Sequence, residues 1–353
     1  MFDLHVIGAG PTGSVAALAA ARKGQKVLMS EEHLRAGEPM HCSGLFSKSG
    51  LESLKDFFDY RKLIRNDIYG AIIDFSGEQI EIKTKNPIAY VCDRAALDAT
   101  VAANAEKEGV KVEYGKRITN NYAAQNIIGA DGPFSQVATN FAFPKISQYV
   151  STVQAYIKYK SETPKQVEVF LSNEKFPEFF AWIIPHDEEL AEFGVGVALP
   201  NNVGKAWRTL LRMKGIDYAS QVKGAVIPIS VRKKTAKRIG KRNVLLVGDA
   251  AGQTKATTGG GVIIGSNCAR FAGIHCNSPL RYELEWNLRF GLDLFTHRKV
   301  HDYLAGKSNV QLQSLGRKIK QMELDRFLSN NGHMDRPTKM IKPQIIPHLL
   351  RGF

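Results

Sequence analysis

No apolar run in this chain approaches the roughly 18 consecutive residues that a membrane-spanning helix requires, which argues against a helical integral membrane protein. Cysteine is scarce. Four of them (Cys42, Cys92, Cys268 and Cys276) among 353 residues make neither a disulfide framework nor a paired C-x-x-C metal site, so no metal is expected. The N-terminus shows no leader pattern and runs straight into an apolar strand, as in a cytoplasmic protein with reduced thiols. Acidic residues are also in deficit, with 34 Asp and Glu against 48 Lys and Arg and a net charge of +14. A basic surface attracts nucleic acid, anionic lipid or phosphorylated substrates. No nucleic-acid-binding motif accompanies the charge, so nucleic acid is not expected. The densest run, Arg232 to Arg242, reads as a solvated loop or as contact with a membrane surface or a phosphate.

What the chain does have is ordinary globular composition, 44% hydrophobic and 23% charged, and enough length for two domains. Its most informative stretch is residues 4 to 31, LHVIGAGPTGSVAALAAARKGQKVLMSE. A short apolar strand ends in Gly8, Gly10 and Gly13, an Ala-rich helix follows, and a second strand delivers Glu31, eighteen positions after Gly13. In this spacing Gly8 allows a tight turn, Gly10 lets a pyrophosphate approach the backbone, and Gly13 lets the helix pack on the strand. The free N–H groups at the helix start hold phosphates, and Glu31 accepts from a ribose hydroxyl. The context of strand, turn, helix and acid makes this a dinucleotide site.

Downstream, residues 33 to 47 form an irregular loop centred on Cys42, placed to cover the cofactor. Residues 51 to 65 read as an amphipathic helix, and 68 to 83 as a hairpin turning at Ser76-Gly77. Asp93 is positioned as the N-cap of a helix that begins at Arg94 and ends near Gly109, with Arg94 close enough to the nucleotide loop to meet a phosphate or flavin edge. A further strand ends in Gly129-Ala130-Asp131-Gly132, returning to the phosphate edge of the same sheet. From about 146 to 228 the pattern becomes strand-like alternation, an antiparallel sheet with one helix near 203–214 and an aromatic surface at Phe179, Phe180 and Trp182. Then NVLLVGDAAG brings Asp249, and Thr257 to Gly261 opens a helix. Asp249 suits sugar or ribityl hydroxyls, and the N–H groups of Gly260, Gly261 and Val262 suit negative charge on a ring.

With these residues laid out, the chain resembles the flavin-dependent geranylgeranyl reductase family. The resemblance rests on GAGPTG at 8–13, PMHCSG at 39–44, Asp93-Arg94, GADG at 129–132, and GDAAG with TGGG at 248–261. More particular is FAWIIP at 180–185 followed by Gly194 and Gly196, similar to the family's aromatic-x-Trp-x-Phe-Pro…Gly-x-Gly element beside the lipid pocket, with Ile184 for Phe and Phe180 for Tyr. GHMDRP at 332–337 also looks like the family's tail.

The family implies an α/β fold, a Rossmann-like FAD-binding domain of the hydroxylase type (1–145 and 225–280) with an inserted antiparallel-sheet substrate domain (146–224) and a C-terminal helical region (281–353). By resemblance Gly8, Gly10, Gly13, Glu31, Cys42, Ser43, Leu45, Arg94, Asp131, Asp249, Gly260, Gly261 and Val262 bind FAD, and Phe180, Trp182, Pro185 and Gly194 line the substrate pocket. The implied reaction is saturation of isoprenoid C=C bonds on archaeal-type phospholipids or geranylgeranyl diphosphate, with ferredoxin or NADPH as electron donor and peripheral contact with a membrane. No side chain stands out as proton donor, so the catalytic residue is left open. The alternatives sharing this first domain are an aromatic monooxygenase and a flavin halogenase, whose Trp-x-Trp-x-Ile-Pro element FAWIIP partly echoes.

Overall fold

The computed structural model describes residues 1–40 and 42–340. His41, inside the 39–44 loop, and residues 341–353 lie outside the described residues, together with the parts of the resemblance and of the C-terminal region that fall on them. Three sheets carry the fold. The first has six strands in the order Ala236–Ile239, Arg242–Leu246, Asn126–Gly129, Leu4–Ile7, Val27–Ser30 and Lys111–Glu113. All its pairings are parallel except that of Ala236–Ile239, an edge strand that runs antiparallel. Parallel strands are buried on both faces and so read as continuous apolar runs. Leu4, Val6, Ile127, Ile128 and Val244 to Leu246 accordingly lie fully in the core.

Two helices on this sheet set up the site. Pro11–Ala21 and Val262–Ile274 are rich in small residues, and they cross closely because of it. A methyl group on Gly273 would stand 2.2 Å from the Ala16 carbonyl oxygen, while one on Gly265 would stand 3.0 Å from Thr12. Early residues of one helix therefore meet early residues of the other, and late meet late. The helices run parallel, and their positive N-termini converge on the end of the sheet where the strands Leu4–Ile7, Asn126–Gly129 and Arg242–Leu246 terminate.

The second sheet has seven strands in the order Lys223–Pro228, Tyr149–Lys158, Leu190–Ala198, Ala181–Pro185, Gln166–Leu171, Gly70–Phe75 and Glu78–Lys83. Its pairings are antiparallel except for Gln166–Leu171 with Gly70–Phe75. The hairpin turns where expected, with Ser76 and Gly77 at φ 54° and 102°, as a two-residue hairpin loop requires. It joins this sheet, so the sheet draws on residues well before 146. One face buries Phe170, Phe193, Val195 and Val197 under the helix Val203–Met213. A three-stranded sheet, Leu45–Ser47, Ala89–Cys92 and Ile64–Ile68, bridges the two larger ones.

The helix expected over 51–65 does not form. A short helix covers Lys48–Glu52, and a 3-10 turn covers Tyr60–Leu63. The intervening carbonyls are claimed by neighbours: Asp56 O accepts from Arg22 Nη1 at 3.0 Å and Phe57 O from Asn104 Nδ2 at 2.8 Å. Tertiary partners replace the i+4 amides there. The Asp93 cap forms as expected, its side chain accepting from Ala96 N–H at 3.0 Å. Helices Pro279–Trp286, Leu292–Ala305, Asn309–Gln321 and Leu324–Asn331 complete the described chain.

Candidate functional site

The first glycine turn is built by contacts that leave no room for side chains. Gly8 has φ +99°, and a methyl group there would lie 2.4 Å from Ala130 O. One on Gly13 would lie 1.9 Å from Gly8 O, whereas one on Gly10 would meet nothing within 4 Å. The protein thus packs against two of the three glycines and leaves the third facing open space. Glu31 closes the turn: Oε2 accepts from Ala9 N–H at 2.7 Å, and Oε1 accepts from His33 N–H at 3.0 Å with the His33 ring nitrogen at 2.8 Å. The carboxylate is nearly buried at the base of the loop. Asp131 lies beyond the next strand, with Oδ2 accepting from Val137 N–H at 3.0 Å and Oδ1 buried without a hydrogen-bond partner among the described residues. An open glycine, a convergent helix N-terminus, a pinned acid and an orphaned carboxylate oxygen fit a dinucleotide such as FAD.

Arg94 is placed differently from a free phosphate ligand. It makes a two-point contact with Asp98, Nε to Oδ1 at 2.9 Å and Nη2 to Oδ2 at 2.8 Å. Cys42 lies beside its guanidinium, bringing the cysteine loop onto the same helix. Ser43 Oγ accepts from Leu45 N–H at 3.4 Å, and Leu45 and Trp182 both pack against the buried cluster that holds Val91 and Ile184. The loop after the second strand therefore links the first sheet to the second.

The second glycine turn faces the same space. Asp249 lies on the 3-10 turn Gly248–Ala250, its Oδ1 3.0 Å from where a Gly261 methyl group would stand. Burial pushes its carboxyl up to about 6, with Arg94 opposing. The helix starts at Val262 with no side-chain cap on its N-terminus, while Gly260 N–H reaches Thr258 Oγ1 at 3.3 Å. Sequence reading missed the group behind this turn. Lys255 Nζ pairs with Asp335 Oδ1 at 2.7 Å, almost completely buried, and Ser47 donates to the other Asp335 oxygen. Lys255 Cε would stand 2.9 Å from a methyl group on Gly260, so a buried cation backs the turn. Asp335 lies in the GHMDRP segment, which the sequence marked only as similar to the family's tail, and its partner lies 80 residues away.

The third component is the face of the seven-stranded sheet turned away from the helix Val203–Met213. Phe179 stacks on Phe180 with centroids 4.2 Å apart, and Phe180 lies 5.6 Å from Trp182. The Trp182 indole occupies the space above Gly194, where a methyl group would fall 2.1 Å from its ring. Phe179 reaches the glycine turn, 3.4 Å from a methyl position on Gly259. Pro185 is a correction. Side chains alternate along a strand, so Pro185 shares the face of Ala181 and Ile183, which packs against Trp207 and Leu210. It does not belong to the wall formed by Phe180 and Trp182.

Within this apolar wall sits an acid that sequence reading overlooked. Glu192 is 0% exposed, directly opposite Tyr156 in one neighbouring strand and Ile184 in the other. Its Oε1 accepts from Trp182 Nε1 and its Oε2 from Gln154 Nε2, both at 3.1 Å. Burial pushes its carboxyl up to about 8, against the Trp182 hydrogen bond and the Lys223 charge. A carboxylic acid kept neutral at physiological pH among aromatic side chains is a proton store. Beside it, Tyr156 meets His186 edge-on at 4.8 Å, and burial lowers the His186 ring to about 4.

Comparison with known proteins agrees with this geometry. The sequence model of the family described as Glucose inhibited division protein A matches residues 3–59, the first glycine turn and its acid. The chain is 27% identical to a digeranylgeranylglycerophospholipid reductase of Methanothrix thermoacetophila, over 92% of this chain and 93% of the relative. It superposes on the crystal structure of a geranylgeranyl bacteriochlorophyll reductase-like protein of Thermoplasma acidophilum with a TM-score of 0.79 at 23% identity, covering 100% and 99% of the two chains. A flavin-dependent halogenase, CmlS, shares the fold at a TM-score of 0.66 and 15% identity, over 99% of this chain and 76% of that one. The resemblance to the geranylgeranyl reductase family therefore runs along the length of the chain, on the FAD-binding α/β fold expected from its glycine turns.

Proposed function

We propose that this chain is an FAD-dependent oxidoreductase that saturates isoprenoid C=C bonds, with a geranylgeranylated lipid as substrate. The observation that carries the reading is the position of an aromatic, lipid-compatible wall beside the second glycine turn, where Phe179 stands 3.4 Å from a methyl position on Gly259. A hydrocarbon chain lying on such a wall gains roughly 0.8 kcal/mol per buried methylene, which favours a long apolar substrate over a small polar one. When bound and reduced, FAD supplies the hydride. The Gly8–Gly13 turn and the N-terminus of the helix from Pro11 hold its pyrophosphate, and Glu31 and Asp249 receive its sugar and ribityl hydroxyls. Uncapped amides at Gly261 and Val262, backed by the Lys255 ammonium, favour negative charge beside them. Glu192 holds a proton on its carboxyl within the apolar wall, where it serves the second alkene carbon. The sequence carries one dinucleotide fingerprint and no second one for a resident nicotinamide, so a bound flavin would take its electrons from an external donor, a ferredoxin or NADPH.

The deciding test is a mass spectrum of a geranylgeranylated phospholipid incubated with chemically reduced protein in the absence of oxygen. The expected result is a gain of two hydrogens per double bond. An unchanged lipid, together with an oxygenated or halogenated aromatic product in air, moves the chain to the hydroxylase or halogenase branch. For the cofactor site, Glu31→Ala and Asp249→Ala should each purify nearly colourless, and visible absorbance equal to the parent would remove both from the site.

A further inference from the structure

We propose that the outward face of residues 279–305 is a docking surface for an anionic lipid bilayer. Leu280, Leu284, Leu288, Leu292 and Phe295 are 70%, 52%, 85%, 65% and 57% exposed. Spacings of four, four, four and three put them on one side of a helix. The helices Pro279–Trp286 and Leu292–Ala305 are joined without a break by a π turn, Asn287–Gly291. That wider turn rotates Leu288 and Leu292 back into line with Leu280 and Leu284, so the stripe stays straight instead of winding around the axis.

The stripe is not a frayed segment. Its opposite face is fixed to the core through Tyr282, whose hydroxyl donates to Leu246 O at 2.6 Å, and Trp286, whose Nε1 donates to Thr235 Oγ1 at 2.9 Å. Leu294, His297 and His301 are buried on the same inner side. A rigid row of large apolar side chains facing solvent calls for a partner.

Charge identifies that partner. Glu285, Asp293 and Asp302 are ion-paired with Arg289, Arg336 and Arg298, and Glu283, the remaining acid between 279 and 305, is turned inward onto Thr235, away from the stripe. Among the described residues no ion pair engages Arg281 or Lys299, and the Lys299 ammonium sits 5.4 Å from the centre of the Phe295 ring. The uncompensated charges along the stripe are therefore cationic, on a chain with a net charge of +14. Apolar side chains flanked by cations match the acyl and anionic headgroup layers of a bilayer. The helix Leu292–Ala305 also separates the stripe from the aromatic wall. Its inner residues His301, Leu304 and Ala305 line a small cavity with Phe179, Phe180 and Thr257. Seated in this way, the protein holds the wall one helix away from the lipid. That purpose rests on the reductase reading, whereas the surface itself does not.

The test is cosedimentation of the flavin-loaded protein with phosphatidylglycerol and phosphatidylcholine vesicles. Binding should favour the anionic vesicles. Leu288→Ser with Leu292→Ser should lower it at least tenfold, with melting temperature and flavin content unchanged, and Arg281→Glu with Lys299→Glu should remove the anionic preference. Failure to bind, equal binding to both vesicles, or full binding by the serine variant each overturns the proposal. So does a parent dimer in solution that the serine variant dissolves, which would make the face a contact between copies. Turnover of detergent-dispersed lipid requires no bilayer, so a docking failure and a failure of the reductase reading give different results.

Discussion

Alanine at Gly13 should remove a large share of the protein's stability together with its flavin, while alanine at Gly10 should leave a fully stable protein without flavin. The two residues are three apart in one motif, and the structure separates their roles. The methyl group on Gly13 would lie 1.9 Å from the Gly8 carbonyl oxygen and 3.2 Å from Ala130 Cβ. These are backbone and packed atoms at the centre of the sheet, so relief means moving the helix Pro11–Ala21 off the strands. Such a change belongs with the largest single-site losses, about 4–5 kcal/mol, against a total stability of roughly 5–15 kcal/mol. Gly10 is the opposite case. Its φ of −63° and ψ of 178° suit any L-residue, and the added methyl group meets no atom within 4 Å. On protein grounds alone the substitution should stabilise by about 0.4–1 kcal/mol. The only reason for glycine there is a ligand lying against the backbone. The check is a melting curve and a visible spectrum for each variant, and Gly10→Ala with full flavin occupancy would refute the cradle.

Glu192→Gln should keep its flavin and lose turnover by about 10²–10⁴-fold, the usual contribution of a positioned proton donor. It should also change how stability depends on pH. The carboxyl is raised by burial from an ordinary 4.5 to about 8, so between these values the folded chain holds a proton that the unfolded chain has released. Its stabilising contribution is complete below about 4.5 and disappears as pH rises through about 8. The slope approaches about 1.4 kcal/mol per pH unit for one proton. Other buried groups act elsewhere: His5, His186 and His297 are lowered to about 4, and burial raises Asp249 to about 6. Subtracting the variant's curve from the parent's cancels these contributions. The parent should therefore lose stability relative to Glu192→Gln between pH 5 and pH 8, and its turnover should decline above about pH 8. Parallel stability curves, or a fully active variant, would exclude Glu192 as the proton holder.

Local features of the sequence were read correctly for local reasons. Glycine spacing, the acid at the end of the second strand, the Asp93 cap and the Ser76-Gly77 turn each depend on residues a few positions apart. Glu192 was illegible for a definable reason. In LAEFGVGVA a charged residue between apolar ones reads as the solvent side of a half-buried strand, yet both faces of this strand are covered. Trp182 and Gln154, the groups that satisfy the acid, come from two other strands. The Lys255–Asp335 pair is hidden by chain separation, and the missing helix near 51–65 by side chains from residues 22 and 104 taking its carbonyls. Pro185 was misplaced because a motif groups neighbours that a strand sends to opposite faces.

The strand order of the first sheet also fixes a schedule. Leu4–Ile7 lies between Val27–Ser30, made almost at once, and Asn126–Gly129, made much later, while Arg242–Leu246 comes later still. The helix Pro11–Ala21, buried along nearly its whole length, packs on Val262–Ile274, whose last residue is 253 positions beyond Ala21. At the usual 5–20 residues per second, a ribosome takes roughly 10 to 50 seconds to deliver that partner. Throughout that interval the Ala-rich helix and its strands are apolar surface on an emerging chain. The glycine turn at Gly8 to Gly13 thus becomes a complete cradle only once the helix Val262–Ile274 has been made, and the cofactor cannot be fully enclosed before then.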